Sequence, residues 1–137
     1  MDKEERKQLA QTILSQLGGN RFVVMTGAKQ LVSIDNGLRF KIGRNASKAN
    51  MVKVLLNGDD TYTMQFWQHR TYNPYTILLR YADKGLSREE FNAKVRAATE
   101  RAEKASIPKM LKEYNGIYCD QLQEFFTDYT GMNTRLF

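Results

Sequence analysis

LVSIDNGLRFKIGRNASKANMVKVLLNGDDTYTMQFW, residues 31–67, decides the fold. Apolar runs at 31–34 and 38–42 flank Asp35-Asn36-Gly37, and runs at 51–56 and 60–67 flank Asn57-Gly58-Asp59. Such turns between alternating runs signal hairpins, because glycine adopts positive φ without steric cost. In the first hairpin, a two-residue Asn36-Gly37 loop would put Val32 and Ile34 on the face of Arg39 and Lys41. A three-residue loop pairs Ile34 with Leu38 and Val32 with Phe40, joining the apolar sets. A slip of one residue moves every side chain to the other face, so the three-residue loop is preferred.

The same logic sets Val54 opposite Tyr62 and Val52 opposite Met64 in the second hairpin. Val52, Val54, Leu56, Tyr62, Met64 and Phe66 then share the core face. Lys53, Leu55, Thr61, Thr63, Gln65 and Trp67 take the other, as Arg39 and Lys41 do in the first hairpin. Adjacent hairpins would give a sheet with one apolar and one basic-polar face, the usual division when one side is wet. Residues 43–50, GRNASKAN, read as an exposed basic loop.

On the N-terminal side, Leu9, Ile13 and Leu17 recur at helical spacing beside Ala10 and Leu14, and Gly18-Gly19-Asn20 ends that helix. The short apolar run 22–25 reads as a strand, and 75–81, after the Asn73-Pro74 break, as a further one. Ser87 and Glu90 form a capping box opening a helix over 88–105, whose Phe91, Val95, Ala98 and Ala102 make a narrow face. Ser106-Ile107-Pro108 interrupts it, and Pro108 suits the first turn of a new helix. A last helix over 117–130 carries a wide stripe of Tyr118, Leu122, Phe125, Phe126 and Tyr129, closed by Gly131.

The expected fold is α+β: a single antiparallel sheet of four to six strands built from hairpins. The N- and C-terminal helices pack on one face, and one charged helix is peripheral. The 137 residues form one domain, with 83–113 a candidate inserted helical segment. A 42% hydrophobic and 11% aromatic content suits a globular chain rather than a disordered one. No apolar run approaches the roughly 20 residues that cross a bilayer, and the N-terminus lacks a signal peptide's apolar core. A single cysteine, Cys119, forms no internal disulfide. A cytoplasmic setting is expected.

Charge is unevenly spread. Residues 21–82 carry nine cations against Asp35, Asp59 and Asp60, which equals the surplus of +6 for the whole chain. A localised basic region implies an anionic partner. Other chemistries find less support. His69 and Cys119, the only His and Cys, are far apart, so no metal site or cofactor is expected. Ser33, Ser47 and Cys119 lack an evident base, and the Asp59-Asp60 pair sits where a turn favours Asp anyway. Gly43 to Lys48 lacks the order of a phosphate loop, and Gly18-Gly19 follows a helix rather than preceding one. Cys119 is expected to be buried or half-buried, His69 at the surface.

The run VVMTGAKQLVSIDNGLRFKIGRNASKANMVKVLLNGDDTYTMQF and the later GIYCDQLQEFFTDYTGM resemble an uncharacterised small-protein family encoded by phages and mobile elements of gut bacteria. The resemblance covers residues 17–67 and 114–132; the segment from about 69 to 113 is longer than in typical members. It brings no activity. It implies a setting in which DNA handling and suppression of host defence are common tasks.

The expectation is therefore a non-catalytic accessory protein that binds nucleic acid through the basic face. Arg39, Lys41, Arg44, Lys48 and Lys53 would meet phosphates, and Trp67 and Tyr72, with Tyr75 nearby, would stack on unpaired bases. The alternative is an inhibitor of a host defence protein or ribonucleoprotein, anti-CRISPR-like, contacting a host protein through the helix at 87–105. No membrane partner is expected.

Overall fold

The computed structural model describes residues 2–134. The chain divides into two compact units, one holding the described residues up to Gln68 and from Met110 onward, the other His69–Lys109.

The first unit is built on a meander. Strands β1 (Lys29–Ile34), β2 (Gly37–Lys41), β3 (Met51–Leu56), β4 (Tyr62–Gln68) and β5 (Lys109–Ile117) lie side by side in chain order, in a single antiparallel sheet. Helices α1 (Lys3–Leu17), α2 (Asn20–Thr26) and α5 (Leu122–Thr130) complete the unit, with a short 3-10 turn at Cys119–Gln121. Asp2 caps α1 by accepting from the Glu5 amide at 2.8 Å. Gly18 ends α1 with φ 127°. Leu38, Phe40, Val52, Val54, Met64 and Phe66 form a core with Ile13 and Leu17 of α1, Phe22 of α2 and Leu122 and Phe126 of α5. Its centre is aromatic: Phe22 meets Phe126 edge-on at 5.0 Å and Phe40 at 5.4 Å, and Tyr129 lies 4.4 Å from Phe66. Burying each such ring contributes roughly 1.5–3 kcal/mol. The first and last helices thus cover one face of the sheet, as the apolar stripes predict.

Several local expectations are corrected. Residues 22–25 are helical, within α2. Phe22 and Thr26, four apart, are buried while Val24 is 81% exposed. That is helical periodicity, and the Thr26 hydroxyl donates back to the Phe22 carbonyl at 2.7 Å. The first hairpin turns on two residues, Asp35 and Asn36, with Ile34 opposite Gly37 and Val32 opposite Arg39. Val32 and Ile34 therefore share the face of Arg39. The apolar sets are not joined because β1 is an edge strand, largely exposed, that has little core to fill. Asn36 further fixes the turn, accepting from the Leu56 amide through its carbonyl at 2.8 Å.

In the second hairpin the loop spans 57–61, so Leu56 faces Tyr62, Val54 faces Met64 and Val52 faces Phe66. The slip is two residues, which preserves the faces. The expected core set therefore stands although the pairs differ. Downstream of Ser106-Ile107-Pro108 runs β5 rather than a helix. Its Ile117 is fully buried, and Tyr114 packs on Phe125 at 5.2 Å.

The second unit holds α3 (Pro74–Ala82) and α4 (Arg88–Ala105), which pack on each other. Residues 75–81 are thus helical, not a strand. Asn73 is the cap of α3, accepting from the Tyr75 amide at 2.9 Å, and Pro74 occupies its first turn. Ser87 caps α4, accepting from the Glu90 amide at 3.2 Å, which is one half of the expected capping box. Among the described residues no helix is long and apolar enough to cross a membrane.

Candidate nucleic-acid interface

The helix-free face of the sheet carries Val32 and Ile34 from β1, Arg39 and Lys41 from β2, Lys53 and Leu55 from β3, and Thr63, Gln65 and Trp67 from β4. One row across it reads Val32, Arg39, Lys53, Gln65. Gln65 continues it to β5, its amide donating to Glu113 at 2.7 Å. Thr63 donates to Asn115 at 2.8 Å in the next row. Arg39, Lys41 and Lys53 are thereby gathered on one face, as the alternation predicts.

Two cross-strand pairs on this face join like charges. Arg39 stands opposite Lys53, and Lys29 opposite Lys41. Like charges directly opposite in an antiparallel pair are destabilising, by roughly 0.2–1 kcal/mol. Among the described residues none of the four is held by an ion pair; the recorded one is Arg6 with Asp35 at 3.5 Å. Lys29 was missed in the sequence because a bulge separates it from Val32, with Gln30 at φ 54°. Simple alternation from Val32 does not reach across that irregularity.

The sheet is also polarised end to end. The loop at 42–50 leaves the end marked by Lys29, Lys41 and Trp67, and it carries exposed Arg44 and Lys48. Asp35, Asp59 and Asp60, the only anions of residues 21–82, lie in the two turns of the opposite end. Those turns are neighbours, bonded through Asn36 and Leu56. Asp59 accepts from the Thr61 hydroxyl at 2.6 Å and its amide at 3.2 Å, which holds its carboxyl below the ordinary aspartate value. It is a turn-forming group, charged at neutral pH.

The basic loop is ordered from within. Asn45 donates to the carbonyls of Gly43 at 2.9 Å and Ala49 at 2.7 Å. Its carbonyl oxygen accepts from the Ser47 amide at 3.0 Å and from the Ser47 hydroxyl. The loop is tied to its surroundings by Gly43, which donates to Thr26, and by Asn50, which donates to Trp67, each at 3.0 Å. Arg44 and Lys48 therefore project from a fixed frame, and Lys48 takes a left-handed φ of 67°. Asn45 escapes sequence reading because a polar residue in a polar loop gives no pattern.

The aromatic candidates separate. Trp67 lies on the wet face, half-buried, with its indole N–H donating to Gln65 at 3.0 Å and the Lys53 ammonium 4.7 Å over its ring. That cation covers one ring face, so Trp67 anchors Lys53 and is a poorer stacking platform than its type suggests. Tyr72 belongs to the second unit, where its hydroxyl donates to Glu103 at 3.2 Å. Partial burial, then the Glu103 carboxylate, push its phenol above the ordinary value. Tyr75 is 65% exposed on α3. His69 is half-buried in the segment after β4, and Cys119 is exposed, not buried, because it falls in the 3-10 turn ahead of the α5 stripe. Among the described residues no group of three or more His, Cys, Asp or Glu is placed to hold a metal ion.

Comparison of the chain with protein-family models, curated proteins and solved structures finds no match.

Proposed function

We propose that this protein binds nucleic acid without catalysing a reaction, as an accessory factor of a phage or mobile element. The paired like charges, Arg39 with Lys53 and Lys29 with Lys41, carry the reading. Such pairs oppose folding slightly and are relieved by a polyanion lying across both strands. Arg44 and Lys48 on the ordered loop extend the contact beyond the sheet end, while the aspartate turns bound it. Phosphate neutralisation by cations spaced along a surface needs no specific base contact.

An electrophoretic shift assay with duplex and single-stranded DNA and RNA at two salt concentrations tests the reading. The expected result is binding at low salt that weakens steeply as salt rises. Replacing Arg39 and Lys53 by Ala should flatten the slope of log K against log salt by about 1.8 on duplex. No binding to any of these probes at low salt would remove the proposal.

A second reading, an inhibitor docking on a host protein, draws on α3. Tyr75, Leu78 and Leu79, at helical spacing, are 65%, 41% and 56% exposed. A host partner retained after nuclease treatment, and released by Leu79→Asp, would favour it over direct nucleic-acid binding.

A further inference from the structure

A second group of cations lies on the other side of the sheet edge. Lys3, Arg6 and Lys7 of α1, with Ser33 of β1, line an open cleft of about 670 Å³. At 3.6 residues per turn, positions 3, 6 and 7 fall on one stripe of about 100°, which leaves Glu4 and Glu5 outside it. Ser33 is opposite Leu38, a core residue, so its hydroxyl is on the helix side of β1 and not the wet side. The edge strand is thus flanked by cations on both faces: Lys29, Arg39 and Lys41 on one, Lys3, Arg6 and Lys7 on the other. Lys29 and Ser33 stand opposite Lys41 and Leu38, three steps of β2, about 10 Å along the strand, close to three base steps of a duplex at about 3.4 Å each.

We infer that the cleft between α1 and β1 is a second phosphate-binding site, filled by the same nucleic acid that the wet face holds; the inference rests on that reading. The backbone then follows the β1 edge, leaving Lys29 and Lys41 at one end and entering the cleft at the other. Lys3 and Lys7 supply charge, Ser33 a hydroxyl donor, and Arg6 a guanidinium that Asp35 partly neutralises at 3.5 Å. Asp35 is 93% exposed and, among the described residues, is the carboxylate that pairs with a cation of the cleft. It opposes the ligand it borders.

The test compares the unmodified protein, Lys3→Gln/Lys7→Gln and Asp35→Asn for binding to one duplex across a salt series. Glutamine keeps helix propensity, and a thermal melt checks the fold. The double variant is expected to lower the slope of log K against log salt by about 1.8, two phosphate contacts' worth. Asp35→Asn is expected to bind roughly two- to fivefold tighter at low salt, the size of one exposed charge interaction. An unmodified slope in the double variant, or unchanged affinity in Asp35→Asn, overturns the second site while the wet-face reading stands. Failure of the unmodified protein to bind removes both. Should the double variant melt early, Asp35→Asn still decides, because it acts by gain.

Discussion

Gly37 shows how a residue can matter for a reason its sequence context hides. In the sequence it is a turn glycine, favoured for positive φ. In the structure it is the first residue of β2, and its φ is not left-handed. A Cβ at Gly37 would lie 1.8 Å from the Val54 carbonyl oxygen. Backbone cannot yield that much, so Gly37→Ala must separate β2 from β3. A loss of about 3 kcal/mol or more is expected, at the severe end for a single substitution, and a denaturant titration measures it. A loss under about 1 kcal/mol would mean that the strands part more freely than their close approach implies. Gln30 is the contrasting case: nothing in its type announces a left-handed conformation, yet the bulge it creates returns Lys29 to the wet face beside Lys41.

Elements were legible where one pattern dominated. The apolar stripe of α1 and the Ser87 cap of α4 lie where the pattern puts them; of the last helix only Leu122 to Tyr129 of the stripe is helical, since Ile117 ends β5 and Tyr118 is 62% exposed ahead of the 3-10 turn. Short elements were not. The helix α2 is seven residues long, too few for periodicity to tell a helix from a strand, and Asn73-Pro74 reads equally as a break or as the start of α3. β5 hid behind Lys112 and Glu113, charges that an edge strand tolerates because one side of it meets water. The 42–50 loop depends on Asn45 in the same unannounced way. Asn45→Ala removes both carbonyl contacts and the two Ser47 contacts. The expected cost is about 1–3 kcal/mol in a thermal melt, with weaker binding as Arg44 and Lys48 lose their frame. Unchanged melting and unchanged affinity together would show that the loop is held by something other than Asn45.

At the scale of the whole molecule, the two units differ in how much they bury. The first contains the contiguous aromatic core, whereas the buried apolar residues of the second are Ile77 and Ala98. Stability follows buried apolar area, so local opening should cost less in α3 and α4. Hydrogen exchange should find protection factors there at least about 100-fold lower than in β2, β3 and β4. Equal protection would mean that the two units open as one. Of the candidate site, the sequence supplied Arg39, Lys41 and Lys53 on one face and Arg44 and Lys48 in the loop. It could not supply the opposed cation pairs, because register depends on turn length and on an edge strand with no core to fill. Nor could it supply the cleft at Lys3, Arg6 and Lys7, which exists only because α1 lies along β1.

By itself, then, the order of residues determined the class of fold, the core face of β3 and β4 and the concentration of charge. These follow from a period of two, a period near 3.6 and a count, all of which are local along the chain. The tertiary structure alone decided which cation faces which, which aromatic is free, and that Asp35, Asp59 and Asp60 gather at the sheet end away from the basic loop. Those are relations between distant segments, fixed by strand pairing and close backbone approach, and no local pattern encodes them.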